Sequence, residues 1–324
     1  MSKANSLLIK KAFFYGIISI IAFSAFCTFF SWMSSWIALV LGIMYAIFLG
    51  NPYEGKSGNL TSYLLKTSVV GIGFGYPLSA ITELSASSLY FVIIFIIIAI
   101  VVGAFLTKLF AIDNKIGDMI SSGTAICGAS AIAAIASTIK ASDKQISIAL
   151  GTVFILSASG LILFPIIGNS LQLSQEQFGV WAGLTIHDTA SAIGAALDFD
   201  KGFEKDIAEK VTTIIKLAKV IFIVPLVFLG ALLYKQENKK ISFPYFILFF
   251  VLAMFLNSNF PDFDGFSTIK TAGKKGLQIS LFLIGTNLSI KNLKAIGVKP
   301  FLHGFLLWMM VSVSSLLAIL YFIK

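Results

Sequence analysis

Apolar residues run through this chain in long blocks, separated by short polar segments that hold most of its lysines. The blocks at 12–30, 36–50, 60–81, 87–108, 145–167, 217–234, 241–260, 271–290 and 303–323 predict membrane helices. About 20 apolar residues suffice to cross a bilayer core. Two further stretches, 121–134 (SSGTAICGASAIAA) and 183–196 (GLTIHDTASAIGAA), are membrane-like in setting but built from small and polar residues. Counting them within 121–139 and 178–197 gives about ten or eleven membrane segments, and the predicted class is an all-α polytopic membrane protein. The polar segments 51–59, 113–118, 140–144 and 169–176 read as loops. In 198–216, Ile207, Val211, Ile214 and Ile215 recur at helical spacing among charges, which predicts an amphipathic interfacial helix leading into the next span.

Composition supports that class. Of 324 residues, 57% are hydrophobic and 12% charged, about half the charge share of soluble domains. The net charge of +9 sits on loop lysines. That is the pattern of cytoplasmic loops in a membrane protein, not a nucleic-acid footprint. Lys3, Lys10 and Lys11 before the first block place the N-terminus in the cytoplasm. That block resembles a signal peptide, but many spans follow and no clear cleavage box appears, so it reads as the first transmembrane helix. All 24 basic residues are lysine, so an anion site here must use lysine, backbone N–H groups or hydroxyls. Cys27 and Cys127 lie in apolar segments, which argues against a disulfide, and no metal-ligand spacing occurs. Residues 1–324 read as one integral-membrane domain of the inner membrane, with no cofactor expected.

The two small-residue stretches carry the candidate chemistry. Gly123 and Gly128 disfavour an unbroken helix, and the second stretch holds His187 beside Asp188. Broken polar segments at membrane depth are tolerated only inside protein or along a water-filled cavity, and ionisable residues there are functional by default. A half-helix starting after Gly123 or Gly128 would offer free N–H groups and a positive dipole end to an anion. The expected substrate-binding set is Gly123, Thr124, Cys127, Gly128, Ser130, His187, Thr189 and Ser191, with Thr286 and Asn287 from the penultimate span. Asp188 is the expected ion-coupling group, with His187 titrating nearest neutral pH. Adjacent residues on a helix point about 100° apart, so both can face one cavity only if the backbone breaks there. Plainer readings stand beside these. Asp188 would cap a half-helix, Cys127 would be a small buried hydrophobe, and the GIGFG run at 71–75 would be a packing surface. Lys216 and Lys219 are expected to snorkel to the interface, the alternative being a substrate or ion-pair role, and His303 to be solvated near a membrane boundary.

Two internal similarities suggest repeats. Ala125-Ile126-Cys127 and Thr185-Ile186-His187 are 60 positions apart, as are Pro165 and Pro225. Residues 65–73 (LKTSVVGIG) and 277–285 (LQISLFLIG) match at an offset of 212. With both broken stretches re-entrant, one from each side, loops 140–144, 235–240 and 291–299 become cytoplasmic and 169–176 external. That is the inverted-repeat plan of many secondary transporters. If both stretches instead cross the membrane, the assignment changes.

The motifs SGTAICGASAIAA and WAGLTIHDTASAIGAA, followed by KLAKVIFIVP, resemble those of the sulfate exporter family of YeiH-like bacterial inner-membrane proteins. The likeness covers most of the chain, from GIGFG onward. It implies a secondary-transporter fold, distantly like those of sodium–proton antiporters and 2-hydroxycarboxylate transporters. Such proteins often carry arginine in the segment 216–219, where this chain has Lys219. The function expected is secondary active transport of a small anion of the sulfate, sulfonate or carboxylate class, coupled to H+ or Na+. The expected partners are that inorganic or organic anion, H+ or Na+ and the lipid bilayer, with no nucleic acid; a homodimer rests on analogy with such folds. The alternatives are a passive anion channel or a non-transporting membrane partner protein. An intramembrane hydrolase using Ser130 or Cys127 is disfavoured, because the adjacent His-Asp order does not set Asp behind the imidazole; no enzyme is expected.

Overall fold

A computed structural model describes Lys11 and residues 14–18, 35–50, 57–82, 86–234, 245–287 and 296–323. Most of the first expected span, Cys27 and the expected loop 235–240 lie outside them. The described helices are α1 (Ser35–Phe48), α2 (Ser57–Gly73), α3 (Ser79–Thr82), α4 (Ala86–Leu109), α5 (Asn114–Ala125), α6 (Ala129–Thr138) and α7 (Asp143–Ser170). They continue with α8 (Gln175–Thr185), α9 (Thr189–Phe199), α10 (Ile207–Ile221), α11 (Ile223–Leu233), α12 (Phe246–Asn259), α13 (Gly265–Asn287) and α14 (Val298–Phe322). No strand occurs among the described residues. Among the described residues, four apolar stretches, Tyr90–Leu109, Asp143–Ser170, Ile207–Leu233 and Val298–Phe322, are long enough to cross a membrane. The all-α polytopic class is the class observed.

The chain forms two compact units, one of Met1–Ala80 with Tyr245–Ile290 and one of Ile81–Pro244 with Lys291–Lys324. In the first, α13 packs against α1 and α2 through small residues: a Cβ on Gly42 would lie 3.0 Å from the Cα of Gly285, and one on Gly71 would lie 3.3 Å from that of Gly273. Phe14, Tyr45 and Phe282 form an aromatic cluster beside the first of these contacts. The span expected at 60–81 is broken after Gly73, and α12 satisfies the break. Asn257 Nδ2 donates to the Phe74 carbonyl at 2.7 Å, and the Leu78 amide donates to Ser258 Oγ at 2.6 Å. The GIGFG run therefore makes close packing contacts and a helix end.

The second unit is organised by two helical hairpins. At the outer end of the first, Lys115 Nζ at the start of α5 donates to the carbonyl of Lys140, just past α6, at 2.9 Å. Gln145 Nε2 donates to Asp113 Oδ2 at 3.0 Å. A continuous helix would hold residues 115 and 140 roughly 37 Å apart, so α5 goes in and α6 comes back. The second hairpin repeats this. Gln175 Nε2 at the start of α8 donates to Asp200 Oδ1 and, at 2.6 Å, to the Lys205 carbonyl. Phe178 of α8 stacks on Phe199 of α9 at 3.9 Å. Between the hairpins, the 28 residues of α7 run about 42 Å. The two hairpins therefore start from opposite ends of α7, and each broken stretch turns back on itself.

Local sequence explains these boundaries. Asp113 caps α5 by accepting from the amides of Lys115 and Ile116, so the loop expected at 113–118 yields to helix from Asn114. Ser142 with Gln145, and Ser174 with Gln177, form capping boxes that start α7 and α8. The repeat at an offset of 60 is visible in the helices themselves: α5 ends at Ala125 and α8 at Thr185, and α6 starts at Ala129 and α9 at Thr189.

One expectation is corrected. The stretch before residue 217 is not an interfacial amphipathic helix. From Ile207 onward, α10 is continuous with the core, and Glu209, Thr212, Thr213, Lys216 and Lys219 are all buried. Its polar stripe faces the second hairpin. A Cβ on Gly179 or Gly183 of α8 would lie 2.7 Å from the side chain of Val211 or Ile215, and Thr212 Oγ1 donates to the Gly179 carbonyl at 3.0 Å. Glycines four apart let the two helices approach this closely.

Candidate functional site

The tips of the two hairpins meet. The first turns through Ile126, Cys127 and Gly128. Gly128 has φ +65° and ψ −118°, a conformation that side chains disfavour. A Cβ there would lie 3.4 Å from the amide nitrogen of Asp188 and from the carbonyl carbon of His187. The second tip, Ile186-His187-Asp188, stays extended, with Asp188 at φ −88° and ψ 154°, so it can carry large side chains. Across the junction, Thr124 Oγ1 lies 3.1 Å from His187 Nε2. The threonine hydroxyl already donates to the Ile120 carbonyl at 2.9 Å. With the threonine proton on that carbonyl, the hydroxyl oxygen accepts from His187 Nε2 and the imidazole lone pair is left on Nδ1.

Charge is placed against the exposed ends of the half-helices. Asp188 caps α9, accepting from the Ser191 amide at 2.9 Å, and Ser157 Oγ of α7 donates to its other oxygen at 2.5 Å. The same serine oxygen accepts from the Asp188 amide at 3.0 Å. At the C-terminal end of α8, Lys216 Nζ donates to the carbonyls of Ile186 and, at 3.1 Å, His187; Lys219 Nζ donates to that of Leu184 at 2.6 Å. Both lysines are buried, so the expectation that they snorkel is corrected. A helix ending inside the protein leaves its last carbonyls without partners and a partial negative charge, and these cations answer both. The sequence signal was available: lysines three apart, on the same face as Thr212, within a run that is otherwise apolar.

Of the predicted binding residues, Gly123, Thr124, Cys127, Gly128, His187, Thr189 and Ser191 are buried at or beside the junction, with Asp188. Cys127 lies against the Ala131 amide and the Ser130 hydroxyl at the start of α6. Ser130 itself is exposed. Thr286 belongs to the first unit, where its hydroxyl donates to Leu283 at 2.8 Å, and the side chain of Asn287 lies outside the described residues.

His303 is the third corrected expectation: it is fully buried, not solvated. Its Nε2 lies 3.0 Å from the Gly103 carbonyl and 3.2 Å from Thr107 Oγ1. Thr107 donates to Gly103 at 2.8 Å, which fixes this ring in the same tautomer as His187. Two further residues escaped the sequence reading. Ser157 holds Asp188, and Trp308 of α14 stands 6.3 Å from the His187 ring, centroid to centroid. At the outer end of the second hairpin, Asp200 caps α10 through the amides of Ala208 and Glu209, at 3.1 and 2.8 Å. Burial raises its carboxyl above the ordinary range, against hydrogen bonds from Glu209, Gln175 and Ala208. No cluster of metal-ligating side chains occurs among the described residues.

Comparison with known proteins places the chain. The family model described as Conserved hypothetical protein 698 matches residues 9–304. A UPF0324 membrane protein of Photobacterium profundum is 45% identical, the match covering 89% of this chain and 87% of that protein. Another, of Bacteroides thetaiotaomicron, is 38% identical over 97% of this chain and 96% of its own. A third, of Bdellovibrio bacteriovorus, is 41% identical over 92% of both. No solved structure matches. Across nearly its whole length, then, hairpins and junction included, this chain belongs to the UPF0324 family of membrane proteins.

Proposed function

We propose that the protein is a secondary active transporter of a small anion, coupled to H+ or Na+, with its site where the two hairpin tips meet. The observation that carries this reading is the junction itself: two interrupted helices apposed around buried Lys216, Lys219 and Asp188. Isolated buried charges are costly, and opposite charges must balance them. With all three ionised, the junction holds one positive charge in excess, which favours an anion. A singly charged anion cancels that excess, and its negative charge close to Asp188 raises the affinity of the carboxylate for a proton or sodium ion. Binding of anion and cation is thereby linked.

Asp188 also sets the geometry of the second tip through Ser191 and Ser157. Protonation would remove its charge and recast the Ser157 contact, giving the tip two states for a carrier to alternate between. The sulfate or sulfonate class, and the kinship with sodium–proton antiporter and 2-hydroxycarboxylate transporter folds, rest on the motif resemblance stated above. The ends of α5 and α6, rich in lysine, would face the cytoplasm and the ends of α8 and α9 the outside, in a cell inner membrane.

The test is flux in proteoliposomes. Uptake of labelled sulfate, methanesulfonate, acetate and hydrogen carbonate is measured under imposed proton and sodium gradients. Gradient-dependent accumulation of one anion supports the reading. Downhill movement alone would make the protein a channel, and no movement of any anion would remove transport as its activity.

A further inference from the structure

Three buried polar atoms beside the second hairpin have no hydrogen-bond partner among the described residues: His187 Nδ1, Trp308 Nε1 and Ser312 Oγ. They are neighbours. The rings of His187 and Trp308 are 6.3 Å apart, and Ser312 follows Trp308 by one turn on α14. The ring edge next to the indole nitrogen lies beside the break: a Cβ on Gly160 of α7 would lie 3.6 Å from Trp308 Cζ2 and 3.2 Å from Ile186 Cγ1. Trp308 packs in a cluster of near-parallel rings, with Phe164 at 5.8 Å and Trp181 stacked on Phe164 at 4.0 Å. Trp181 Nε1 donates to the Ser312 carbonyl at 3.0 Å.

The hydrogen-bonding sense of two of these atoms is set. The indole N–H only donates, and His187, with its proton on Nε2, presents a bare lone pair at Nδ1. Ser312 can do either. Buried polar atoms left unmatched are costly, so a ligand that satisfies this set needs one O–H group for His187 and an acceptor oxygen for Trp308. The positive excess of Lys216 and Lys219 over Asp188 adds a negative charge to that description. We propose that Trp308, His187 and Ser312 form a subsite for a singly protonated oxyanion of the hydrogen carbonate type. Its hydroxyl donates to His187 Nδ1, and a charged oxygen accepts from the indole and from Ser312. The charge argument, though not the three atoms, is shared with the transporter reading.

Hydrogen carbonate and acetate discriminate this, being alike in charge and shape but differing in O–H against CH3. The chain has four tryptophans, and the indole N–H signal of Trp308 is assigned in 15N-tryptophan-labelled protein by its loss in Trp308→Phe. Titration of purified wild type with hydrogen carbonate should move that signal saturably, while acetate leaves it in place. Trp308→Phe should bind hydrogen carbonate about tenfold more weakly by thermal shift. If that variant does not fold, Ser312→Ala should weaken binding several-fold while the indole signal still moves. The proposal is overturned if acetate moves the signal equally, if neither anion moves it, or if the substituted protein binds like wild type. Failure of the transporter reading looks different: the signal moves as stated, yet vesicles show no anion flux.

Discussion

The two hairpins share a backbone plan and divide the chemistry between them. The first tip is specialised in its backbone: Gly128 takes a positive φ, leaves no side chain, and lets the other tip approach. No charged residue stands in its turn at 126–128. The second tip keeps ordinary extended geometry and spends it on side chains, His187 and Asp188, with Lys216 and Lys219 brought in from α10. A repeated fold thus becomes an asymmetric site. One copy supplies proximity and the other supplies charge.

Substitutions can break this division, and the largest effect is expected at Asp188. Asp188→Asn should abolish coupled flux; it keeps the helix cap but leaves buried Lys216 and Lys219 without their counter-charge, so the melting temperature falls as well. Asp188→Ala should lose flux and, with the cap, about 1 kcal/mol of stability beyond the asparagine variant. Next comes Lys216→Met, which strips the carbonyls of Ile186 and His187 of their donor; about 3 kcal/mol of destabilisation is expected by chemical or thermal denaturation. Lys219→Met, with one carbonyl affected, should cost less. Gly128→Ala tests the other side of the comparison. It places a side chain at φ +65° and against the second tip, and should cost about 2 kcal/mol. The smallest effect belongs to Cys127→Ala, expected within about 1 kcal/mol of wild type with flux retained, if the first tip serves through its backbone alone. A loss of flux there equal to that of Asp188→Asn would erase the distinction between the hairpins.

Much of this plan was legible in the sequence, for identifiable reasons. Small residues and glycines amid apolar runs marked both breaks, and the offset between Ala125 and Thr185 is the true spacing of the repeat. His187-Asp188 stood out because charge at membrane depth needs a cause. Lysines 216 and 219 were misplaced because snorkelling depends on where a helix lies in the bilayer, and one chain's spacing cannot distinguish a lipid interface from the buried end of another helix. His303 was misread for a related reason: its partners Thr107 and Gly103 come from a helix some two hundred residues away in sequence. Trp308 is one aromatic among many in apolar helices, and only its ring contacts separate it from lipid-facing neighbours. That each broken stretch folds back as a hairpin rests on the contacts of Lys115 with Lys140 and of Gln175 with Asp200, which no local pattern encodes.

The most direct test of the central claim is proton movement in proteoliposomes loaded with a pH-sensitive dye, read on addition of each anion to wild type and to Asp188→Asn. The account predicts that one anion drives proton entry through the wild type and that Asp188→Asn, folded and inserted to the same extent, does not respond. Equal proton entry in both proteins would contradict it.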